Sequence, residues 1–221
     1  MESLVFLFST AFLIGLSGAM MPGPVLVATI NRSARMGFKA GPLVVIGHAA
    51  IELVLIAAIL LGLGSLLERQ EVIQPILLGG GAMLVFLGST IMNDVRTGKA
   101  SLPSGPTEAD AEHGDSIFTP VIEGVITSVS NPYWSIWWAT IGLAYIAMAK
   151  DLGPLGLPAF YSGHILSDLA WFSLVAAGVA VGTRHMNDVV YRLVLGGCSV
   201  FLVALGLVFA VDGLSGILQM L

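Results

Sequence analysis

Cysteine, charge and basic residues are all scarce in this chain of 221 residues, and each shortage excludes something. The one cysteine, Cys198, lies in an apolar run and has no mate, which rules out an intrachain disulfide and leaves no thiolate cluster for a soft metal. Charged residues make up 10% of the chain, against about 25% in soluble domains. With 56% apolar residues and a mean hydropathy of +0.93, the chain takes a lipid bilayer as its solvent, and neither a soluble enzyme nor a nucleic-acid partner is expected. The net charge of -5 reflects mainly one acidic run, Glu108 to Asp115, so it describes a loop and says little about ligands. No basic n-region or small-residue cleavage site precedes the first apolar run, so that run is expected to stay as a helix.

What the chain has is long apolar stretches. A spanning helix needs about 20 mainly apolar residues, and six stretches qualify, near 4–30, 42–65, 72–92, 118–148, 158–182 and 191–212. Unpaired backbone groups cannot face lipid, so all six are expected to be helices. Of the nine basic residues, Arg32, Arg35, Lys39, Arg96, Lys99, Arg184 and Arg192 fall on one side of this layout and only Arg69 and Lys150 on the other. The positive-inside rule then puts the protein in the cell membrane as a multi-pass chain, with both termini outside and the 93–117 loop in the cytoplasm. That loop, with Pro103, Gly105, Pro106 and the acids, reads as a flexible linker, and its His113 as part of a solvated tether.

The two halves repeat their landmarks. Pro22, Gly41-Pro42, Gly47-His48 with Glu52, and Gly79-Gly80 are followed in the same order by Pro132, Gly153-Pro154, Gly163-His164 with Asp168, and Gly196-Gly197. The expected architecture is therefore an all-α polytopic membrane protein of two three-helix units, 1–92 and 118–221, joined by the 93–117 linker. A unit that crosses three times ends on the opposite side, so the second copy must be inverted. Inverted repeats recur in secondary transporters, whose sites lie near the midplane at interrupted helices. Met21-Pro22-Gly23-Pro24 and Ser130-Asn131-Pro132 are expected to interrupt helices 1 and 4, since each proline removes a backbone donor. Asn131 adds an amide suited to a substrate carboxylate or ammonium.

His48 and Glu52 are four apart, as are His164 and Asp168, so each pair shares a helical face near mid-span. Ionisable groups at that depth normally face a cavity and a partner. Three readings stay open: a structural hydrogen-bonded pair on each helix, a proton-exchanging centre, and a site of two histidines and two carboxylates for a divalent cation. Glu123 and Asp212, near span ends, read as solvated. Trp134, Trp137, Trp138 and Trp171 are candidates for cavity walls. The glycine clusters at 79–81 and 196–197 suit close helix packing, within the protomer or across a homodimer. Nothing beyond the quartet supplies an intramembrane nucleophile and base.

The string PGPVLVATINRSARMGFKAGPLVVIGHAAIELVLIAAILLGLG at 22–64, the stretch from Leu77 to Gly88, the acidic loop and the SNP motif at 130–132 together resemble the LysE/RhtB family of exporters. The resemblance implies a secondary transporter that exports an amino acid or related metabolite, driven by the proton gradient; no cofactor is expected unless a divalent cation serves as one. It also implies that Pro22, Gly23, Pro24, Asn131 and Pro132 break two helices at the substrate site. The doubled G-H-x-x-x-acid pattern departs from that family's amino-acid exporters and keeps a divalent-cation exporter as the alternative. On that alternative His48, Glu52, His164 and Asp168 are the ligands.

Overall fold

The structure is a computed structural model that describes residues 2–67, 69–100, 116–182 and 188–220. Arg184, His113 and the acidic run of the linker lie outside the described residues. The described residues are mainly helical, without strands, in ten α-helices: α1 (Glu2–Ala19), α2 (Pro24–Met36), α3 (Ala40–Ala58), α4 (Gly64–Leu67), α5 (Gln70–Arg96), α6 (Phe118–Val129), α7 (Pro132–Trp137), α8 (Leu143–Asp151), α9 (Gly156–Gly182) and α10 (Asp188–Met220).

Four helical stretches are long and apolar enough to cross a membrane: Pro24–Leu66, Gln70–Arg96, Gly156–Gly182 and Asp188–Met220. The first and fourth apolar stretches are divided, at the proline motifs expected to interrupt them. The first splits into α1 and α2 around Met20–Gly23, and the fourth into α6 and α7 around Ser130–Asn131, which leaves Ser3–Ala19 and Phe118–Val129 as shorter apolar helices. Both breaks have one construction. Gly23 precedes α2 in an extended conformation (φ -133°, ψ 179°) with Pro24 in the first turn. Asn131 precedes α7 in the same region (φ -94°, ψ 109°) with Pro132 in the first turn. Proline is tolerated there because its missing N–H would lack an intrahelical acceptor anyway. The Asn131 side chain accepts a hydrogen bond from the Tyr133 N–H at 3.1 Å and caps the new helix.

The basic segment at 32–39, expected as a connection, is largely helical: Arg32 and Arg35 lie on α2, and a single 3₁₀ turn over Gly37–Lys39 leads to α3. Gly37 (φ 72°) makes the corner, in the left-handed region that glycine reaches without strain. A π-helical stretch, Ile59–Leu63, ends α3 with Gly62 at φ 116°, and a second, Trp138–Gly142, links α7 to α8.

Packing follows three long contacts: α1 along α9, α3 along α6, and α5 along α10. Glycines permit the first two. A Cβ on Gly163 would run into the Phe8 backbone carbonyl of α1, and one on Gly47 into the Val121 carbonyl of α6. Two apolar clusters result. One includes Leu26, Val44, Leu84, Phe172 and Leu202; the other includes Leu7, Ile56, Trp138, Tyr145 and Phe160. Along α3 the quartet residues 48 and 52 fall between Val44 and Ile56, and along α9 residues 164 and 168 fall between Phe160 and Phe172, so the polar groups sit where the clusters meet. The outer surface is rich in large apolar side chains such as Leu61, Leu193, Val189, Phe86 and Leu174, as a lipid-facing surface requires.

Candidate functional site

Glu52 and His48 rise from α3, Asp168 and His164 from α9, one helical turn apart in each case. All four are buried, with relative exposures of 1% (Glu52), 7% (His48), 3% (Asp168) and 5% (His164). One donor atom from each lies within 4.8 Å of the others. His48 Nε2 is 3.1 Å from Glu52 Oε1 and 3.6 Å from Asp168 Oδ2. His164 Nε2 is 3.1 Å from Glu52 Oε2 and 3.7 Å from Asp168 Oδ2. The Tyr161 hydroxyl, on α9, donates to the Ala49 carbonyl of α3 at 2.7 Å and pins the two helices beside this centre.

The surrounding helices complete it. Trp134 Nε1 and Trp138 Nε1 donate to Glu52 Oε1 at 3.0 and 2.9 Å, so α7 and the turn after it hold the carboxylate in place. From α6, Ser128 Oγ lies 2.6 Å from His48 Nδ1 and 2.5 Å from the Gly124 carbonyl oxygen. His164 stacks on Trp137 with ring centroids 4.6 Å apart. Its Nδ1 and Asp168 Oδ2 are buried without a hydrogen-bond partner.

Seven of the nine expected site residues line one cavity: Pro22, Gly23, His48, Glu52, Asn131, His164 and Asp168, together with Trp134 and Trp137. The cavity measures about 70 Å³. The two helix breaks meet at its wall, for a Cβ on Gly23 would come within 3.4 Å of Asn131 Nδ2. Pro24 and Pro132 do not line it. Pro24 borders a second cavity, and Pro132 is buried against Gly80 of α5.

The second cavity, of about 530 Å³, is bordered by α2, α5, α6 and α10 and includes Asn31, Arg32, Arg35, Asp94, Glu123 and Tyr191. Glu123, read from the sequence as solvated, is engaged here: Arg32 donates Nε to Glu123 Oε2 at 2.7 Å and an Nη to Oε1 at 2.5 Å. The Tyr191 hydroxyl donates to Asn31 Oδ1 at 3.0 Å on the same rim. Trp171 is partly buried and packs against the first apolar cluster, its Nε1 without a hydrogen-bond partner. Cys198 is buried and free. Among the glycines, Gly80 and Gly81 meet Pro132 and α10, whereas nothing lies within reach of Gly79 or Gly197.

Ser128 is the site residue that sequence reasoning missed. It lies 80 positions from His48, and a serine beside a threonine in an apolar helix carries no local signal. The tryptophans were candidates for walls; their role as paired N–H donors to one carboxylate oxygen depends on how α7 is set after the break.

A family model described as LysE type translocator matches residues 16–213. The chain belongs to this family and is thus a multi-pass membrane transporter rather than an enzyme. Curated relatives include the threonine efflux proteins of Salmonella typhi and of Escherichia coli strain K12, each 23% identical over 79% of this chain and 82% of the relative. No solved structure matches the chain.

Proposed function

We propose that this transporter exports an amino acid or a closely related small metabolite by alternating access, with its site at the cavity where the two helix breaks meet the buried quartet. The observation that carries the reading is that meeting. Two half-helices, α2 and α7, begin at this cavity, and helix N-termini carry partial positive charge suited to a substrate carboxylate. Glu52 and Asp168 face the same space and suit an ammonium group or a coupling cation. The family and the threonine efflux relatives support the substrate class.

The reading divides the chain into inverted units of three spans each: α1 to α5 in the first, with α1 and α2 as one broken span, and α6 to α10 in the second, with α6 to α8 as the other. What supports it is the exchange of partners. The first span of each unit packs on the second span of the other, α1 on α9 and α3 on α6, while the third spans pair with each other, α5 on α10. The distribution of basic residues favours termini outside and the linker in the cytoplasm. The quartet supplies the coupling or cation-binding groups, and transport draws on the proton gradient.

Efflux of preloaded radiolabelled threonine and other amino acids from cells expressing the protein tests this. Faster efflux than from cells expressing Glu52→Gln, abolished by a protonophore, is the expected result. Efflux equal to that of cells lacking the protein across the amino-acid panel would overturn the substrate class.

A further inference from the structure

The hydrogen bonding around His48 fixes which of its nitrogens faces the quartet. The Gly124 carbonyl can only accept, so at 2.5 Å the Ser128 hydroxyl must give it its one proton. Ser128 Oγ is then left to accept, and His48 Nδ1, 2.6 Å away, must be the N–H that donates. In its neutral form the imidazole then presents the bare lone pair of Nε2 to Glu52 Oε1 at 3.1 Å and Asp168 Oδ2 at 3.6 Å. Both of those are acceptors when ionised. A lone pair aimed at two carboxylates in a buried site is unfavourable unless a proton on Nε2 or a metal cation sits between them.

We infer that the quartet is a binding site for a divalent transition-metal ion of the zinc class, ligated by His48 Nε2, His164 Nε2 and one oxygen each of Glu52 and Asp168. A tetrahedral zinc site with bonds of about 2.0 to 2.1 Å sets its donors roughly 3.3 to 3.4 Å apart. With Glu52 Oε1 and Asp168 Oδ2 as the oxygen donors, the four nitrogen-to-oxygen separations, 3.1, 3.6, 3.2 and 3.7 Å, bracket that value. Asp168 Oδ2, buried, without a hydrogen-bond partner and close to both imidazoles, is the unused donor such an ion requires. A divalent ion among two carboxylates and two neutral imidazoles cancels their charge of about -2, the same neutrality at membrane depth that two imidazolium protons give the metal-free site. Ser128 acts as a positioning residue by holding the ligand tautomer, as outer partners of metal-bound histidines do. The inference rests on the part of the proposed function that makes the quartet a coupling or cation-binding centre; it does not depend on which solute is exported.

The test is Co²⁺ titration of the purified, chelator-stripped full-length protein in detergent, read by its visible d–d absorption. Wild type should develop an intense tetrahedral band that saturates at one equivalent and is displaced by Zn²⁺. Asp168→Asn and His48→Gln should lose it while keeping the wild-type gel-filtration profile. Ser128→Ala should bind about 10 to 100-fold more weakly. X-ray absorption on Co²⁺-loaded wild type should show two imidazoles, a readout that stands even if a variant fails to fold. No saturable band in wild type, or a band without imidazole scattering, overturns the inference; unchanged affinity in Ser128→Ala overturns the role of Ser128. Amino-acid efflux is measured separately in cells, so a protein that exports but binds no metal sinks only this inference.

Discussion

His48 and His164 stand at matching places on α3 and α9, each one turn before a buried carboxylate, yet their surroundings differ. His48 has its outer nitrogen held by Ser128, whereas His164 has an outer nitrogen with no partner and an aromatic face on Trp137. The carboxylates differ likewise. Glu52 Oε1 accepts from two indole N–H groups, while Asp168 Oδ2 accepts no hydrogen bond. Similar sequence patterns thus produce one half of a site that is locked in place and one half that is held loosely, because α6 and the tryptophans after the second break bring a hydroxyl and two N–H donors to His48 and Glu52, whereas His164 meets an aromatic face of Trp137 and a glycine of α1.

The largest expected effect separates the two carboxylates. Glu52→Ala leaves two indoles and two imidazoles facing a void and should cost about 3 to 5 kcal/mol of stability, against about 1 to 3 kcal/mol for Asp168→Ala. Equal losses in thermal unfolding would erase the asymmetry. Next come the glycines that let the helices touch, where the two halves should behave alike. Gly47→Ala and Gly163→Ala each push a methyl group into a backbone carbonyl and should each cost about 1 to 3 kcal/mol. A difference beyond that range between them would mean that the two helix contacts are not equivalent.

Ser128→Ala removes the one partner of His48 Nδ1 and should cost about 1 kcal/mol. Glycine stands opposite His164, where a Cβ on Gly15 would meet the Nδ1 atom within 2.8 Å, so no equivalent hydroxyl exists to delete. The smallest effect belongs to the rim of the larger cavity. Arg32 and Glu123, with side-chain exposures of 18% and 31%, should show a coupling of about 0.5 to 1 kcal/mol in a double-mutant cycle. No coupling would mean that the pair only shapes the cavity.

Much of this was legible in the sequence. The six apolar stretches gave the helical class, the two proline motifs marked where helices 1 and 4 divide, and the i, i+4 spacing put each histidine and carboxylate on one face. Helix ends were read less well: α2 carries Arg32 and Arg35, where a connection was expected, because a helix can continue to Met36 before Gly37 turns it. The ion pair of Glu123 was hidden because Arg32 lies 91 residues earlier.

Composition and local pattern are properties of the chain itself, so hydropathy, proline positions and helical period settled by themselves that this protein is helical, membrane-embedded and interrupted twice. Which groups meet is a property of packing. Only the approach of α3 to α6 through Gly47 brings His48 to Ser128, and only the packing of α3 against α9 gathers four ionisable side chains from two distant helices into one buried centre. That convergence needs backbone contact between segments more than 70 residues apart, and no window of sequence contains it.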